Sequence, residues 1–569
     1  MATAFSMALV PMVLKFAGTF QLYDIPDVAE SNSSARKIHL APIPRLGGIA
    51  IVLSFFLTQV VWLKSAPLPG VMLGGFAVFL LGVADDVISI RPAYRFVLQI
   101  LFASFAVRYH NLVPQTLDLG VGINLVLSHE VGFAFAVFVI VGAINTINMI
   151  DGLDGLAGGL ALIGVALLSF LYFLKTHDLG LLLFIACPMI GAIVGFLRYN
   201  THPAVVFMGD GGSNWLGFMI GAVMVLLLSG QQIDFTTSAL VASAPLPLAS
   251  VVLCLAIPVL DTAIVMVGRM RRGSHPMKAD KTHLHHALLK IGLSHTQTVS
   301  ALYFLGLVVG VIGLLPVAFP EYGLDLAPYV GIVLVFSFVL VASNVNAETA
   351  IGFLEQRAHI RDLSEYKIVS RVINLWENFN RYILYVILLA GPAFAGAVRR
   401  DVGIASAAVG LLILASIILS ASRRGDDFLD STCIALASTV LLVANNSNTM
   451  MVAWDGAKVS IQPLYNGLFG LLMVSTILLF IVTVKKRYFI FKPSDFLLAT
   501  IPLVLLLVPE PFRTEYRINI ISLRSIVVFA AVRTLVKRKE FVIAHIKGVT
   551  LLALTFVFFA GVYGLRIVY

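Results

Sequence analysis

Two adjacent carboxylates, Asp85 and Asp86, follow a long apolar run and are the first candidates for chemistry in this sequence. Neighbouring carboxylates beside a bilayer are costly unless they hold a cation or face a base. The pair suits Mg²⁺, a hard ion that takes oxygen ligands and usually arrives with substrate phosphates. The alternative is a solvated loop in which Arg91 or Arg95 pairs with the two carboxylates.

A second cluster, between residues 145 and 159, combines amides, carboxylates and glycines. Asn145, Asn148 and Asp151 follow one another at one-turn spacing, which predicts that they share a helix face. Asp154 lies among the glycines that follow, and glycine lets the backbone approach a ligand closely. This combination indicates a site for a sugar phosphate and its metal ion. The alternative is that these polar side chains only surround the C-terminal cap of a helix, but a cap does not need four oxygen-bearing side chains.

A glycine-rich turn at residues 207–213 precedes another apolar run and contains Asp210. Such a turn before a helix N-terminus presents free backbone N–H groups to an anion, and Asp210 would hold the cation of that anion. By itself the turn is a weak signal, because Asp-Gly turns and serine caps are common.

Two basic segments complete the set. In the first, at residues 36–48, Lys37 and Arg45 would grip a lipid phosphate at the membrane surface, although a topology signal explains them equally well. In the second, at residues 269–286, three histidines are compatible with zinc, but no Cys or Glu accompanies them at structural-zinc spacing. Diphosphate binding explains this segment better, because a topology loop would account for its arginines and not for its histidines. Its candidate side chains are Arg269, Arg271, Arg272, His283, His285 and His286.

The elements that must position these clusters are membrane helices. Of 569 residues, 59% are hydrophobic and 12% are charged, about half the charged share of a soluble protein. Uncharged runs close to the ~20 residues that cross a bilayer recur along the whole chain. This pattern excludes a soluble globular protein, a disordered chain and an outer-membrane barrel, whose strands alternate polar and apolar residues. The predicted fold class is an all-α polytopic membrane protein.

The apolar runs predict eleven helices within residues 1–345 and about seven further transmembrane helices within residues 383–569. Residues 346–382 are polar and charge-mixed, and we predict a cytoplasmic helical linker between the two domains. The first apolar run lacks the basic flank and the cleavage site of a signal peptide, so it is predicted to be a membrane helix. The eleven helices are expected near residues 5–20, 46–64, 70–84, 95–108, 131–148, 155–174, 179–197, 211–230, 248–268, 297–317 and 328–344.

The distribution of Lys and Arg predicts how the first domain is oriented. Twelve of these residues lie in one alternating set of loops and three lie in the opposite set. The excess of Lys and Arg marks the cytoplasmic side of a membrane protein. All five polar clusters then lie on or near the cytoplasmic face.

In this order, the five clusters resemble the polyprenyl-phosphate N-acetylhexosamine-1-phosphate transferases, of the bacterial undecaprenyl-phosphate GlcNAc-1-phosphate transferase and glycosyltransferase 4 type. The resemblance covers residues 20–345, the eleven-helix core of that family. One departure is Ser89, where many members have a third acidic residue. The matching segments are RKIHLAPIPRLGGIA (36–50), DDVIS (85–89), NTINMIDGLDGLAGG (145–159), FMGDGGS (207–213) and HPMKADKTHLHHALL (275–289).

The resemblance implies an enzyme that transfers a HexNAc-1-phosphate from a UDP-sugar to polyprenyl (undecaprenyl) phosphate. The products would be polyprenyl-diphospho-sugar and UMP, in the first membrane step of cell-surface glycan synthesis, such as cell-wall or lipopolysaccharide synthesis. Mg²⁺, with Mn²⁺ as a substitute, would be held by Asp210, Asn148 and Asp151. The implied catalytic residues are Asp85, Asp86, Asp151 and Asp154. The implied substrate-binding residues are Lys37, Arg45, Asn145, Asn148, Arg269, Arg271, Arg272, His283, His285 and His286.

The expected location is the bacterial inner membrane, with the active site facing the cytoplasm. The expected partners are UDP-N-acetylhexosamine, the polyprenyl phosphate lipid and the membrane, with a second copy of the chain or downstream glycosyltransferases as further candidates and no nucleic acid. A transporter or flippase for an anionic or lipid-linked solute is the competing hypothesis. Residues 383–569 contain no matching cluster, so regulation, docking of a later glycosyltransferase and lipid movement all stay open for that domain.

Overall fold

The computed structural model describes most of the first 344 residues and parts of the remainder. In the first part it describes residues 1–20, 23–24, 42–62, 68–120, 123–178, 180–234, 239–271, 283–290, 292–320 and 323–344. In the second part it describes residues 378–389, 400–422, 451–454, 457–460, 462–483 and 540–563, with shorter helical pieces near 376, 434–442 and 521–532. The chain divides into two compact units, Met1–Glu355 and Gln356–Tyr569.

The first unit is helical, with short two-stranded hairpins between some of its helices. Its helices are α1 (Ala2–Phe20), α2 (Gly47–Trp62), α3 (Pro69–Ile88), α4 (Pro92–His110), α5 (His129–Ile150), α6 (Leu156–Thr176), α7 (Cys187–Asn200), α8 (Gly209–Leu228), α9 (Leu248–Leu253), α10 (Ala256–Arg271), α11 (Leu284–Lys290), α12 (His295–Ala318) and α13 (Ala327–Asn344). The strands pair antiparallel as β1 (Tyr23–Asp24) with β2 (Ile43–Pro44), β3 (Thr116–Asp118) with β4 (Asn124–Val126), and β5 (Gln231–Asp234) with β6 (Ala239–Ala242).

Helix α8 lies at the centre of this unit. It is buried along its whole apolar stretch, and α6 is nearly as enclosed. Two glycines let α5 pack closely against it: a Cβ added at Gly217 would lie 2.5 Å from the Cα of Ile144, and one at Gly221 would lie 2.8 Å from the Cα of Ile140. Small residues allow membrane helices to approach in this way. The close contact fixes the carboxyl end of α5 beside the amino end of α8.

Seven helices of the described chain are long and apolar enough to cross a membrane. Together with the helical character of both units, this confirms the predicted all-α polytopic membrane fold. The bounds of the predicted helices agree closely with the structure, apart from the short helix α11, which was not predicted, and two local differences. The helix predicted over 248–268 is two helices, because the chain turns at Cys254 and Leu255 between α9 and α10. The helix predicted over 179–197 includes a π-helical stretch, Leu182–Ala186, directly before α7.

The described parts of the second unit are also mainly helical. They include α14 (Arg400–Ser422), α15 (Gln462–Thr483) and α16 (Glu540–Tyr563), with a hairpin of β7 (Met451–Trp454) and β8 (Ala457–Ser460). Its core is formed by buried aliphatic residues, among them Leu384, Ile413, Leu472 and Val557. One of the seven apolar runs predicted as helices in this part of the chain, at residues 495–508, lies outside the described residues.

Candidate active site

A single cavity of about 1640 Å³ collects most of the predicted site residues that the structure describes. One part is polar and lies where α5 ends and α8 begins, and the other is apolar. The apolar part is lined by α4 residues such as Phe96 and Ile100 and by α5 from Phe133 onward. Between Phe133 and Met149, α5 rises about 24 Å at ~1.5 Å per residue. The cavity therefore joins a polar site to an apolar slot, and together the two extend along α5 for most of the ~30 Å thickness of a bilayer core.

Helix α3 brings its two carboxylates to the amino end of α8. A Cβ added at Gly82 would lie 2.4 Å from the backbone oxygen of Asp210, so only glycine permits this approach. One turn further along α3, Asp86 accepts hydrogen bonds from the backbone N–H groups of Asp210 (3.0 Å) and Gly211 (3.1 Å). The turn was predicted to offer free N–H groups to an anion, but these two are bound by a carboxylate of the protein itself. Asp86 thus caps α8 from another helix.

Arg95 connects the other two carboxylates. Its Nη1 donates a hydrogen bond to Asp210 Oδ2 at 2.7 Å and also contacts the carboxylate of Asp85. The backbone N–H of Ile90 donates to the second oxygen of Asp85 at 2.6 Å. The pairing of Asp85 with Arg95, considered from the sequence as the alternative to a cation site, therefore exists, and the same guanidinium also reaches Asp210.

The amide-rich cluster projects from the last turns of α5. Asn148 donates hydrogen bonds to Asp210 Oδ1 at 2.8 Å and to Ser213 Oγ at 3.0 Å. Asn145 donates to the side-chain oxygen of Gln99 on α4 at 2.9 Å. Asp151 follows directly after the helix, and all three residues of the one-turn series line the cavity.

Asp151 is open to the cavity but surrounded by protein on its other sides. Desolvation by this surrounding protein, followed by repulsion from the carboxylates of Asp210 and Asp86, raises the pKa of Asp151 to about 7. A carboxyl group with this pKa can hold or release a proton near neutral pH.

His283 also lines the cavity, and a buried hydrogen-bond network fixes its orientation. Its Nδ1 lies 2.8 Å from Asp261 Oδ2, and the backbone N–H of Leu284 donates to the other oxygen of Asp261 at 2.8 Å. Since a carboxylate only accepts, Nδ1 carries the proton, which leaves Nε2 to accept from Arg269 Nη2 at 3.4 Å. Both nitrogens of His283 are therefore engaged, and its position is fixed from two sides.

His285 differs from His283 because neither of its ring nitrogens has a hydrogen-bond partner among the described residues. It is buried, lines the cavity and lies against the chain after α5, where a Cβ added at Gly152 would be 2.7 Å from its Nε2. Burial, and then the neighbouring His286 and His283, hold the pKa of His285 well below its usual range. A neutral imidazole offers one donor and one acceptor to a bound group.

Asp154 lies at the same polar end but is already engaged. Its Oδ2 is 2.7 Å from His202 Nδ1 and accepts a hydrogen bond from the backbone N–H of Ala204 at 3.1 Å. His295 approaches the backbone oxygen of Asp154 at 3.4 Å.

The structure accounts for most of the predicted site residues. Arg45, exposed just after β2, also lines the cavity. Lys37 and Arg272 lie outside the described residues. Arg271 is described only as the last residue of α10. The predicted residues that line the one cavity are Arg45, Asp86, Asn145, Asn148, Asp151, Asp154, Arg269, His283, His285, His286 and Asp210, while Asp85 reaches it through Arg95.

Sequence reasoning missed several residues of the site. Gln99 lies one turn after Arg95 within an apolar run, and this was a usable signal, whereas Arg95 itself was considered only as a partner of Asp85 and Asp86. His202 and His295 lie just before predicted helices, and a single histidine at such a position does not by itself indicate a functional site. Asp261, a single carboxylate within the helix predicted over 248–268, was not among the predicted site residues, and it positions His283.

The fold and the cavity define an integral-membrane enzyme whose polar site opens to an apolar slot. Residues 68–228 match the family described as Glycosyl transferase family 4. The probable undecaprenyl-phosphate N-acetylglucosaminyl 1-phosphate transferase of Bacillus subtilis is 30% identical over 311 residues, which are 54% of this chain and 80% of the relative. The chain belongs to Glycosyl transferase family 4.

Two further relatives are named as the same kind of transferase. The decaprenyl-phosphate N-acetylglucosaminephosphotransferase of Mycolicibacterium smegmatis is 32% identical over 287 residues, or 47% of this chain and 70% of the relative. The undecaprenyl-phosphate alpha-N-acetylglucosaminyl 1-phosphate transferase of Haemophilus influenzae is 29% identical over 321 residues, or 55% of this chain and 85% of the relative. These matches give no support to the transporter hypothesis, and they cover about half of the chain.

Proposed function

We propose that this protein transfers an N-acetylhexosamine 1-phosphate from a UDP-sugar to a polyprenyl phosphate such as undecaprenyl phosphate. The observation that carries the proposal is the cavity, in which a site rich in carboxylates, amides and histidines continues into an apolar slot. The polar part suits a diphosphate and its counter-ion, and the slot suits a prenyl chain. The described functions of the relatives support the same donor and acceptor classes.

In the proposed reaction, an oxygen of the lipid phosphate attacks the β-phosphorus of the UDP-sugar. A new P–O bond joins lipid phosphate and sugar phosphate, and the bond from the β-phosphorus to the bridging oxygen breaks, so that UMP leaves with the electron pair. The second pKa of a phosphate ester is ~6, so the nucleophile is largely ionised at neutral pH and needs no strong base. Asp151 can accept the proton from those lipid phosphates that are still protonated.

Direct attack is favoured over an aspartyl-phosphate at Asp154. Its carboxylate is engaged by His202 and by the backbone N–H of Ala204, and these contacts reduce its availability as a nucleophile. Phosphoryl transfer depends mainly on positioning and on neutralising oxygen charge, which the surrounding residues can supply. Phosphorylated protein formed from UDP-sugar alone would contradict this route.

The donor set at the polar end fits Mg²⁺, and Mn²⁺ in its place. Asp210 and Asp151 offer carboxylate oxygens, and Asn148, whose NH₂ group is hydrogen-bonded, still has its carbonyl oxygen. Oxygen ligands of this kind are those that Mg²⁺ prefers. A bound Mg²⁺ would neutralise the diphosphate charge that builds up during transfer. Arg95 supplies positive charge to Asp210 and Asp85 in the same place.

The remaining roles follow from position. His285, His286 and Arg269 would bind the diphosphate and the UMP leaving group together with His283. Arg271 and Arg272 are proposed for the same role from their place in the sequence. Arg45 and Lys37 would orient the lipid phosphate. Asn145 would hold α4 against α5 at the mouth of the slot, since it is bonded to Gln99. Asp86 would act by placing Asp210, and Asp85 by holding Arg95.

We further propose that the enzyme works in the bacterial inner membrane with its polar site facing the cytoplasm, where UDP-sugars are available. The division into a transferase core at 1–345, a linker at 346–382 and an additional membrane domain at 383–569 belongs to the same proposal. A second copy of the chain and downstream glycosyltransferases are further proposed partners of the protein.

A transfer assay tests the proposal. The full-length protein in detergent is given undecaprenyl phosphate, Mg²⁺ and a panel of UDP-N-acetylhexosamines, and UMP release is measured. We expect turnover that requires both lipid and Mg²⁺ and that falls at least about a hundredfold in Asp210→Asn, as for loss of one electrostatic group in a preorganised site. Asp325→Asn, which changes an exposed carboxylate before α13, is the matched control and should retain activity. Binding of donor and lipid without UMP release from any donor would argue for a binding or transport role.

A further inference from the structure

Three metal-ligand side chains meet at the polar end of the cavity, beside the oxygen-rich group around Asp210. They are Asp154 between α5 and α6, His202 between α7 and α8, and His295 at the start of α12. One potential ligand atom from each lies within 4.8 Å of those of the other two. Residues from three separate loops and helix ends therefore converge on one point.

The contacts of this cluster hold it in a fixed arrangement. His202 Nδ1 lies 2.7 Å from Asp154 Oδ2, and the backbone N–H of Ala204 donates to the same oxygen at 3.1 Å. The imidazole rings of His202 and His295 stack with centroids 4.2 Å apart and planes 16° apart. Backbone hydrogen bonds that orient a ligating carboxylate are the usual outer-shell support of a metal site.

The chemistry of the three ligands selects the kind of ion. Two imidazoles and one carboxylate are typical of zinc and cobalt sites, whereas Mg²⁺ takes oxygen ligands. Zinc–nitrogen bonds of about 2.0–2.1 Å place neighbouring tetrahedral ligands about 3.4 Å apart, so modest side-chain rotations would close the 4.8 Å spread. The side chain of His202 is 45% exposed and that of Asp154 is 16% exposed, which leaves a path for an ion from water and an open fourth position.

We propose that Asp154, His202 and His295 form a binding site for a borderline divalent cation such as Zn²⁺, separate from the oxygen-rich site around Asp210. Each histidine would ligate through an unprotonated ring nitrogen. The inference does not depend on the proposed transferase activity, although Zn²⁺ bound here would occupy Asp154 and the rim of the cavity.

Cobalt is a suitable probe because Co²⁺ takes zinc-type sites and its visible absorption reports nitrogen ligation. The full-length protein, purified without a polyhistidine tag, is titrated with Co²⁺ in excess Mg²⁺, and Zn²⁺ is then added to displace it. We expect a saturable one-to-one component that Zn²⁺ removes. His202→Ala and His295→Ala should each weaken this component at least about tenfold, since loss of an outer-shell partner alone costs about 10–100-fold.

Two controls separate this site from other contributions. His129→Ala removes an exposed histidine at the opposite end of α5 and should leave the titration unchanged. Asp210→Asn, which tests the transferase proposal, should also leave it unchanged. His202→Gln provides a second variant of similar size, and elution as a single species shows that each variant is folded. Absence of saturable Co²⁺ binding, or identical titrations in the parent protein and in both histidine variants, would overturn the site.

Discussion

At the scale of single residues, Arg95 is the positive charge around which the acidic end of the cavity is arranged. Its guanidinium contacts both Asp85 and Asp210, and Asp86 caps the helix to which Asp210 belongs. Three carboxylates this close together repel one another unless a cation neutralises them. Arg95 provides that charge within the protein, and a bound divalent cation would provide more of it.

Replacing Arg95 should make the protein depend on a divalent cation for stability. In the presence of a chelator, Arg95→Gln is expected to lose about 1–3 kcal/mol, the usual worth of hydrogen bonds to charged groups, and Mg²⁺ should restore part of the loss. The measurement is the thermal midpoint with EDTA and with Mg²⁺. Arg91→Gln, at an exposed arginine one turn earlier, is the matched control and should respond to Mg²⁺ as the parent protein does. An equal response of both variants would exclude this role for Arg95.

Asp151 should give the protein a recognisable pH dependence. Its folded pKa of about 7 is above the ordinary 3.8, so the folded state binds one more proton than the unfolded state between these values. Stability of the parent protein should therefore fall relative to Asp151→Asn as pH rises from about 4 to about 7, and the difference should be constant above that range. Thermal midpoints without divalent cations measure it, and saturating Mg²⁺ should reduce the effect. Parallel pH curves for both proteins would contradict the shifted pKa.

At the scale of elements, the site depends on how closely α3 approaches α8. The apolar runs predicted where the helices lie to within a few residues, because burial in a membrane imposes a length that the sequence shows directly. They did not predict the break between α9 and α10, or that Asp86 would cap α8. Both depend on contacts between segments far apart in the chain, 124 residues apart for Asp86 and the N–H of Asp210.

The same distinction applies to the site residues. The series Asn145, Asn148 and Asp151 was visible because helical spacing places them together. The hydrogen bonds of Asn148 to Asp210 and Ser213 were not visible, since they require α5 and α8 to pack at Gly217 and Gly221. Residue types and spacing could thus predict which residues line the same cavity, but not which of them bind each other.

Adding a methyl group at Gly82 should disrupt the site, although Gly82 itself has no side chain in it. In Gly82→Ala the new Cβ would lie 2.4 Å from the Asp210 backbone oxygen, so α3 must move and the cap from Asp86 is lost. Loss of the cap alone costs about 0.5–2 kcal/mol. We expect a lower thermal midpoint and a large loss of transfer activity. Gly142→Ala is the control for stability, because a Cβ there meets no atom within 4 Å and helix propensity favours alanine. Equal midpoints for both variants would contradict the packing argument.

At the scale of the whole molecule, the cavity separates two kinds of substrate by their solubility. A nucleotide sugar can reach the polar end from water, while a prenyl chain can enter the apolar slot along α4 and α5 from the bilayer. In the proposed reaction both reactive groups would meet beside Asp210 and Asp151, which line the same cavity. The family match at residues 68–228 lies within the first unit, and so do the residues that line the cavity.

The slot predicts a defect that affects one substrate only. Gly142 lines the slot and has open space at its Cβ position, so Gly142→Leu would fill part of the path for the prenyl chain without touching the polar end. We expect the KM for polyprenyl phosphate to rise about tenfold, equivalent to about 1.4 kcal/mol, with an unchanged KM for the UDP-sugar. Val131→Leu, at an exposed position on the first turn of α5, is the matched control. Steady-state kinetics with each substrate varied separately decide the matter: equal changes in both KM values would mean that the slot does not hold the lipid, because a blocked lipid path has no reason to weaken nucleotide binding.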